Sequence, residues 1–224
     1  MRMPAAARAA LAAALVAGCA GAGAGANAGP RDNYLRHVAF RLLNESVLLR
    51  WQDHEMPLQV YLPRPPQGMF DDPEAIFEVV RDGVTDWADL AAPGVPSFEF
   101  VDDPGAADIP FRWEERPTGK WFVAHCVYDI SPRQRRFGVA TVLVTARHYD
   151  GSDVSLELLY LTVLHEMGHA LGLGGHSPEP SDVMYGALAQ QRGGLSERDR
   201  NTLRALYDRP NGSRVVGARR ERAY

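Results

Sequence analysis

The sequence is poor in cysteine: Cys19 and Cys126 are the two in 224 residues. That excludes a scaffold stapled by several disulfides. No run of about 20 apolar residues occurs, so no segment of the mature fold spans a membrane as a helix. Charge of one sign is also lacking. A net charge of -4 and a pI near 6.0 leave no basic excess of the kind nucleic-acid partners require, and no internal repeat is visible. What is abundant is Gly (21), Pro (16) and a 46% hydrophobic share, which together describe one loop-rich globular domain with tails.

The first tail has its own logic. MRMPAAARAALAAALVAGC places Arg2 and Arg8 before a short apolar run, Ala9 to Ala17, with small residues leading to Cys19. Leu15-Val16-Ala17-Gly18-Cys19 resembles a bacterial lipobox. The resemblance implies a lipoprotein signal peptide over 1–18 and a lipidated Cys19 as the first mature residue. An ordinary secretory signal, or an Ala-rich tail, is the alternative reading. Residues 19–50 are then expected to be a lipid anchor and flexible linker, beginning with AGAGAGANAGP. Within it Tyr34 to Leu49 is mixed, readable as a short helix or as a disordered link. With Cys19 used as the anchor, Cys126 has no disulfide partner, and its apolar surroundings (WFVAHCVY) suit a small buried hydrophobe. The expected location is the cell envelope, on the outer membrane, in the periplasm or at the surface.

From Pro57 onward the patterning is clearer. LQVYL (Leu58 to Leu62) alternates and stops at PRPP, a strand. Asp72-Pro73 pairs a capping carboxylate with Pro at the first helical position, and Ile76, Val80, Val84 and Trp87 recur at helical spacing as far as Ala91. Strands are expected at Phe98–Val101, Ile109–Trp113, Trp121–Tyr128 and Val139–Thr145. A second helix runs from about Ser155 to Gly172, and a third starts at Ser196, with Asp199 as the capping-box acid, and ends near Tyr207. The order predicts an α+β domain over 51–208, with helices packed on one twisted mixed sheet. The stretch 209–224, with five arginines against one glutamate, is expected to be a solvated basic tail.

The chemistry lies in HEMGHALGLGGHS, His165 to Ser177. Residues four apart on a helix share a face, so His165 and His169 can direct their rings at one metal. Zn²⁺ takes imidazole nitrogen at about 2.0–2.1 Å in near-tetrahedral geometry. Glu166 then stands beside the metal, placed to act on a bound water without ligating. A catalytic zinc needs a third protein ligand and one open position. Gly172 ends the helix where a left-handed turn suits glycine, and His176 follows after Leu173-Gly174-Gly175.

This segment resembles the metzincin pattern HExxHxxGxxH followed by a Met-turn, and within that clan the matrixins, particularly bacterial secreted or lipid-anchored ones. His165, Glu166, His169 and Gly172 fall on the pattern, while His176 comes one residue late because Gly175 stands where the third histidine belongs. Downstream the agreement resumes, with Ser177 directly after the histidine and Met184-Tyr185 eight residues on. The likeness extends weakly to MPLQVYLP, ADIPFRW and LSERDRNTLRALY. It implies a zinc endopeptidase with one catalytic Zn²⁺ on His165, His169 and His176, a general base at Glu166, a supporting turn at Met184 beneath the metal, and a protein or peptide substrate. Tyr185 directly follows the methionine, so it does not occupy the position of the extra tyrosine ligand in astacin-like relatives. Gly186 replaces a proline usual in matrixins.

The extra residue falls among glycines that can absorb it as a small bulge, which keeps His176 as ligand. His125 and His148 lie on other segments, and Asp182 would need a different loop. Two alternatives stand: a non-catalytic metal- or protein-binding lipoprotein on the same fold, and a zincin whose third ligand is Glu197. Calcium is common in matrixins, and Asp102, Asp103, Asp150 and Asp153 are acidic loop residues. They read better as solvated turn residues, so Ca²⁺ is left unassigned. No cysteine other than Cys19 precedes the domain, which disfavours latency through a propeptide thiol.

Overall fold

The computed structural model describes residues 32–88, 95–115, 123–187 and 193–215. The signal peptide over 1–18, Cys19, the Ala/Gly-rich stretch as far as residue 31, the expected helix end at Ala91, the strand start at Trp121 and residues 216–224 of the basic tail lie outside them.

Seven strands and three α-helices are described. The strands are β1 (Phe40–Leu42), β2 (Glu45–Val47), β3 (Leu58–Tyr61), β4 (Phe98–Phe100), β5 (Ile109–Trp113), β6 (Ala124–Ser131) and β7 (Arg136–Val144). The helices are α1 (Pro73–Thr85), α2 (Leu156–Ala170) and α3 (Glu197–Tyr207). The main sheet has the order β4-β3-β5-β7-β6. Its first four strands run parallel and β6 returns antiparallel along β7 at one edge. Parallel neighbours need a crossover, and α1 supplies one between β3 and β4. The result is the mixed sheet with covering helices that the element order predicts.

Each helix starts where a cap is written into the sequence. The Asp72 carboxylate accepts from Ala75 N at 3.0 Å, with Pro73 following, and the Ser155 hydroxyl accepts from Leu158 N at 3.2 Å. Ser196 and Asp199 form the expected reciprocal capping box. Helix α1 packs along α2, and α2 lies across β6 and β7. Helix α2 is buried on more than one face: Leu159, Leu161, Val163, Leu164, Met167 and Ala170 are all buried. Trp87, just beyond α1, is fully buried and donates from its indole to Leu164 O at 2.8 Å. At the far end Trp51 bonds Ala170 O (2.9 Å) and Tyr207 bonds Leu171 O (3.0 Å). Carbonyls that a helix end leaves without partners are thereby satisfied.

Two boundaries differ from the sequence reading. The expected linker is folded from Asp32 onward. A short 3-10 turn, Leu35–His37, leads into the β1–β2 hairpin, and Tyr34, Val38, Phe40, Val47, Leu48 and Leu49 are buried in the main core. The expected solvated tail is likewise paired as far as Val215. Gly212 N donates to Leu48 O, Leu48 N to Ser213 O and Val215 N to Ser46 O, each at 2.8 Å. The two segments complete each other: a hairpin of three-residue strands has too little surface to stand alone, and the returning chain adds a third edge. The folded unit thus reaches beyond 51–208 on both sides.

Candidate metal centre

The sequence of α2 brings His165 and His169 to one place, and the loop after it delivers His176. Ring centroids are 4.7 Å apart for His165–His169, 5.2 Å for His165–His176 and 5.1 Å for His169–His176. One nitrogen from each ring lies within 4.8 Å of the other two. Among the described residues this is the one group of three or more His, Cys, Asp or Glu placed to share an ion. His125 and His148 are not part of it. Asp182 is fully buried but faces elsewhere, taking bonds from Ser177 Oγ, Ser196 Oγ (2.7 Å) and Arg198 Nε (3.0 Å). Glu197, the alternative third ligand, sits exposed on α3 with Arg204 at 3.6 Å.

The rings are set for metal binding by their second nitrogens. His165 Nδ1 meets Val183 O at 2.7 Å and His169 Nδ1 meets Leu173 O at 2.5 Å. A carbonyl can only accept, so each Nδ1 carries the proton and each Nε2 keeps its lone pair. Burial lowers the pKa of both histidines. It brings His165 to about 4, and the neighbouring His165 and His176 charges press His169 further below the usual histidine value. Neutral imidazole is the ligating form, and these two sites enforce it. The donor set therefore fits a divalent zinc-type ion.

Glu166 is buried, and its carboxylate accepts a hydrogen bond from the Cys126 backbone on edge strand β6. Desolvation raises its pKa to about 8, against the lowering effect of that bond. Cys126 itself is a free thiol whose pKa burial pushes upward, consistent with a packed rather than a reactive cysteine.

The late third histidine has a steric cause. A Cβ on Gly175 would fall 2.2 Å from His37 O, and Gly174 N is bonded to Val38 O at 2.9 Å. The N-terminal arm occupies the space where a side chain at 175 would go, and it is the His176 ring that joins the cluster. Gly172, with φ +111°, makes the left-handed turn expected of it, and its own Cβ would meet Leu49 O at 2.6 Å. The same arm thus dictates both glycines.

After His176, Met184 is fully buried in a turn closed by Asp182 N to Glu179 O and Tyr185 N to Asp182 O, both 3.1 Å. It lies against α2 so closely that a Cβ at Gly168 would stand 2.4 Å from its sulfur. The backbone N–H of Ser177, next to His176, donates to Met184 O at 2.7 Å, and the residue bridges to Tyr185. The turn therefore supports two of the clustered histidines at once, His165 through Val183 O and His176 through Ser177. Gly186 lies against the His176 ring, where a Cβ would stand 3.5 Å from Cγ, an ordinary contact.

Two supports were not visible in the sequence. Asp199 reads as a helix cap, but its buried carboxylate also takes Val183 N (2.9 Å) and Met184 N (3.4 Å) of the turn. Gly168 is a helix-interior glycine, a feature that costs about 1 kcal/mol and commonly marks close packing; that was the available signal. The acidic loop residues behave as turn formers: Asp103 accepts from Gly105 N, Asp150 from Ser152, and Asp153 pairs with Arg147. With exposed Asp102 they gather no cluster among the described residues.

A search of curated proteins finds no match. A family model described as matrixin matches residues 70–208, from the approach to α1 through the histidine triad and the methionine turn to the end of α3. The chain belongs to the matrixin family, metalloproteases that bind zinc.

Proposed function

We propose that this protein is a zinc-dependent endopeptidase with Glu166 as its general base, held at the cell envelope through a lipidated Cys19. The observation that carries the reading is a buried carboxylate at Glu166, directly after His165 of a three-histidine cluster whose ring nitrogens lie within 4.8 Å of one another. A binding-only site has no use for that acid.

Zinc, which His165, His169 and His176 would hold, would supply Lewis acidity toward a water and a peptide carbonyl. The rest falls to the chain. His165 and His169 stay neutral and fixed through their Nδ1 bonds. With a bound cation beside it favouring the ionised form, Glu166 takes the proton of the attacking water on its carboxylate and hands it to the departing amine. The Cys126 N–H steadies that carboxylate while it is charged. The substrate is a peptide bond within a protein or peptide.

Anchoring rests on the lipobox-like LVAGC. Twelve residues separate Cys19 from the first described residue, Asp32, and twelve residues can span at most about 40 Å. The domain would work close to the membrane surface.

The test is Glu166→Gln in the full chain. It keeps its zinc and loses about 10²–10⁴-fold in casein hydrolysis; unchanged hydrolysis would remove Glu166 from the chemistry. Labelling with an alkyne fatty acid, present in wild type and absent in Cys19→Ala, tests the anchor.

A further inference from the structure

The Val183–Met184 peptide unit is gripped from both ends. Its carbonyl accepts from His165 Nδ1 at 2.7 Å, and its N–H points to Asp199 Oδ1 at 3.4 Å. The peptide before it is held too, through Val183 N to Asp199 Oδ2 at 2.9 Å. The orientation of one His165 ring thus depends on how firmly one carboxylate is held. Ser196 N fixes Oδ2 at 2.8 Å. Oδ1 is fixed by the Tyr34 hydroxyl, which donates to it at 2.5 Å.

Tyr34 is far from the metal in the chain and belongs to the arm that leads in from the proposed tether. It is 1% exposed, its backbone N–H donates to Thr202 Oγ1 at 3.1 Å, and the Arg198 guanidinium lies 5.8 Å from its ring centre. Burial, then the Asp199 charge, raises the phenol pKa well above its usual value. The hydroxyl therefore remains a donor throughout the working range. A hydrogen bond to a buried charge is among the stronger ones, and losing one partner leaves the charge under-satisfied.

We infer that Tyr34 is a positioning residue of the metal centre, acting through Asp199 and the Val183 carbonyl on the His165 ring. The inference rests on the three histidines holding zinc. Tyr34 touches neither metal nor substrate. Its hydroxyl fixes the carboxylate that fixes the turn that orients a ligand, so its removal appears first as easier loss of the metal. Partners directly outside the ligand shell are worth about 10–100-fold in metal affinity. Tyr34 stands further out, and the expected effect is about three- to tenfold.

The experiment measures zinc release to an excess of chelator from the zinc-loaded full chain, for wild type, Tyr34→Phe and Trp113→Phe. Tyr34→Phe keeps the buried ring and deletes the hydroxyl. Trp113→Phe is the control, deleting a comparable side-chain bond (Trp113 Nε1 to Pro63 O, 2.9 Å) outside the relay. The expected result is about three- to tenfold faster release in Tyr34→Phe and a wild-type rate in the control. A second readout is the proton NMR signal of His165 Nδ1–H in the zinc-loaded proteins, expected to move in Tyr34→Phe alone. Equal release and unmoved signals in Tyr34→Phe and wild type would overturn the relay while leaving the zinc site standing. Equal acceleration in both variants would overturn it in favour of general loosening. A wild type that holds no zinc would instead remove the reading on which the relay rests.

Discussion

Helix α2 and the loop that follows it contribute to the same three-histidine cluster by opposite means. His165 and His169 are placed by local geometry: a helix of known pitch, capped at Ser155 and buried beyond its first turn, puts residues four apart side by side. His176 is placed by everything around it. The arm's backbone at His37 and Val38 blocks the preceding position, Leu49 O crowds Gly172, and the methionine turn holds Ser177. A local rule tolerates no shift in spacing, whereas a ligand on a surrounded loop can move by one residue when its surroundings move too. The N-terminal arm crowds the loop at Gly172 and Gly175, and the three histidines still come together.

That contrast can be broken most severely at Gly175. Gly175→Ala drives a Cβ into a backbone carbonyl, which cannot rotate away as a side chain could. Overpacking of this kind costs about 1–3 kcal/mol, and the upper end is expected here, with Tm lowered by roughly 5–10 °C. Calorimetry or thermal CD on the two proteins measures it; an unchanged Tm would mean that the arm does not crowd the loop. A smaller effect, confined to the helix, is expected from Ser155→Ala. Loss of the cap costs about 1 kcal/mol, read as a shift in denaturant midpoint, with zinc content retained because both helical ligands lie three to four turns away. Loss of zinc in that variant would show that the helix is less self-sufficient than its burial implies. The mildest perturbation is removal of the metal itself by chelator. Amide exchange is expected to rise for 172–177 and to change little in the middle of α2, and uniform acceleration would erase the distinction between the two regions.

The same division explains how much was legible in the sequence. The caps at Asp72, Ser155 and Ser196, the strand Ile109–Trp113 and the helix carrying His165, Glu166 and His169 follow from patterns within a few residues, and the fold agrees with them. The arm and tail were unreadable because their strands are three residues or fewer and pair with each other from opposite ends of the chain. Asp199 was readable only as a cap, since the groups that make it a support of the turn, Tyr34, Val183 and Met184, lie 15 or more residues away. The Gly-Gly insertion could be seen as room for an extra residue; that the room is set by His37 could not.

The most direct test of the account is the zinc content of the full chain, wild type against His176→Ala, measured by metal analysis after dialysis. The account predicts one tightly held zinc per wild-type molecule and its loss in the variant, together with chelator-sensitive hydrolysis. Equal zinc in the two proteins would contradict it, leaving His176 beside the metal but not on it.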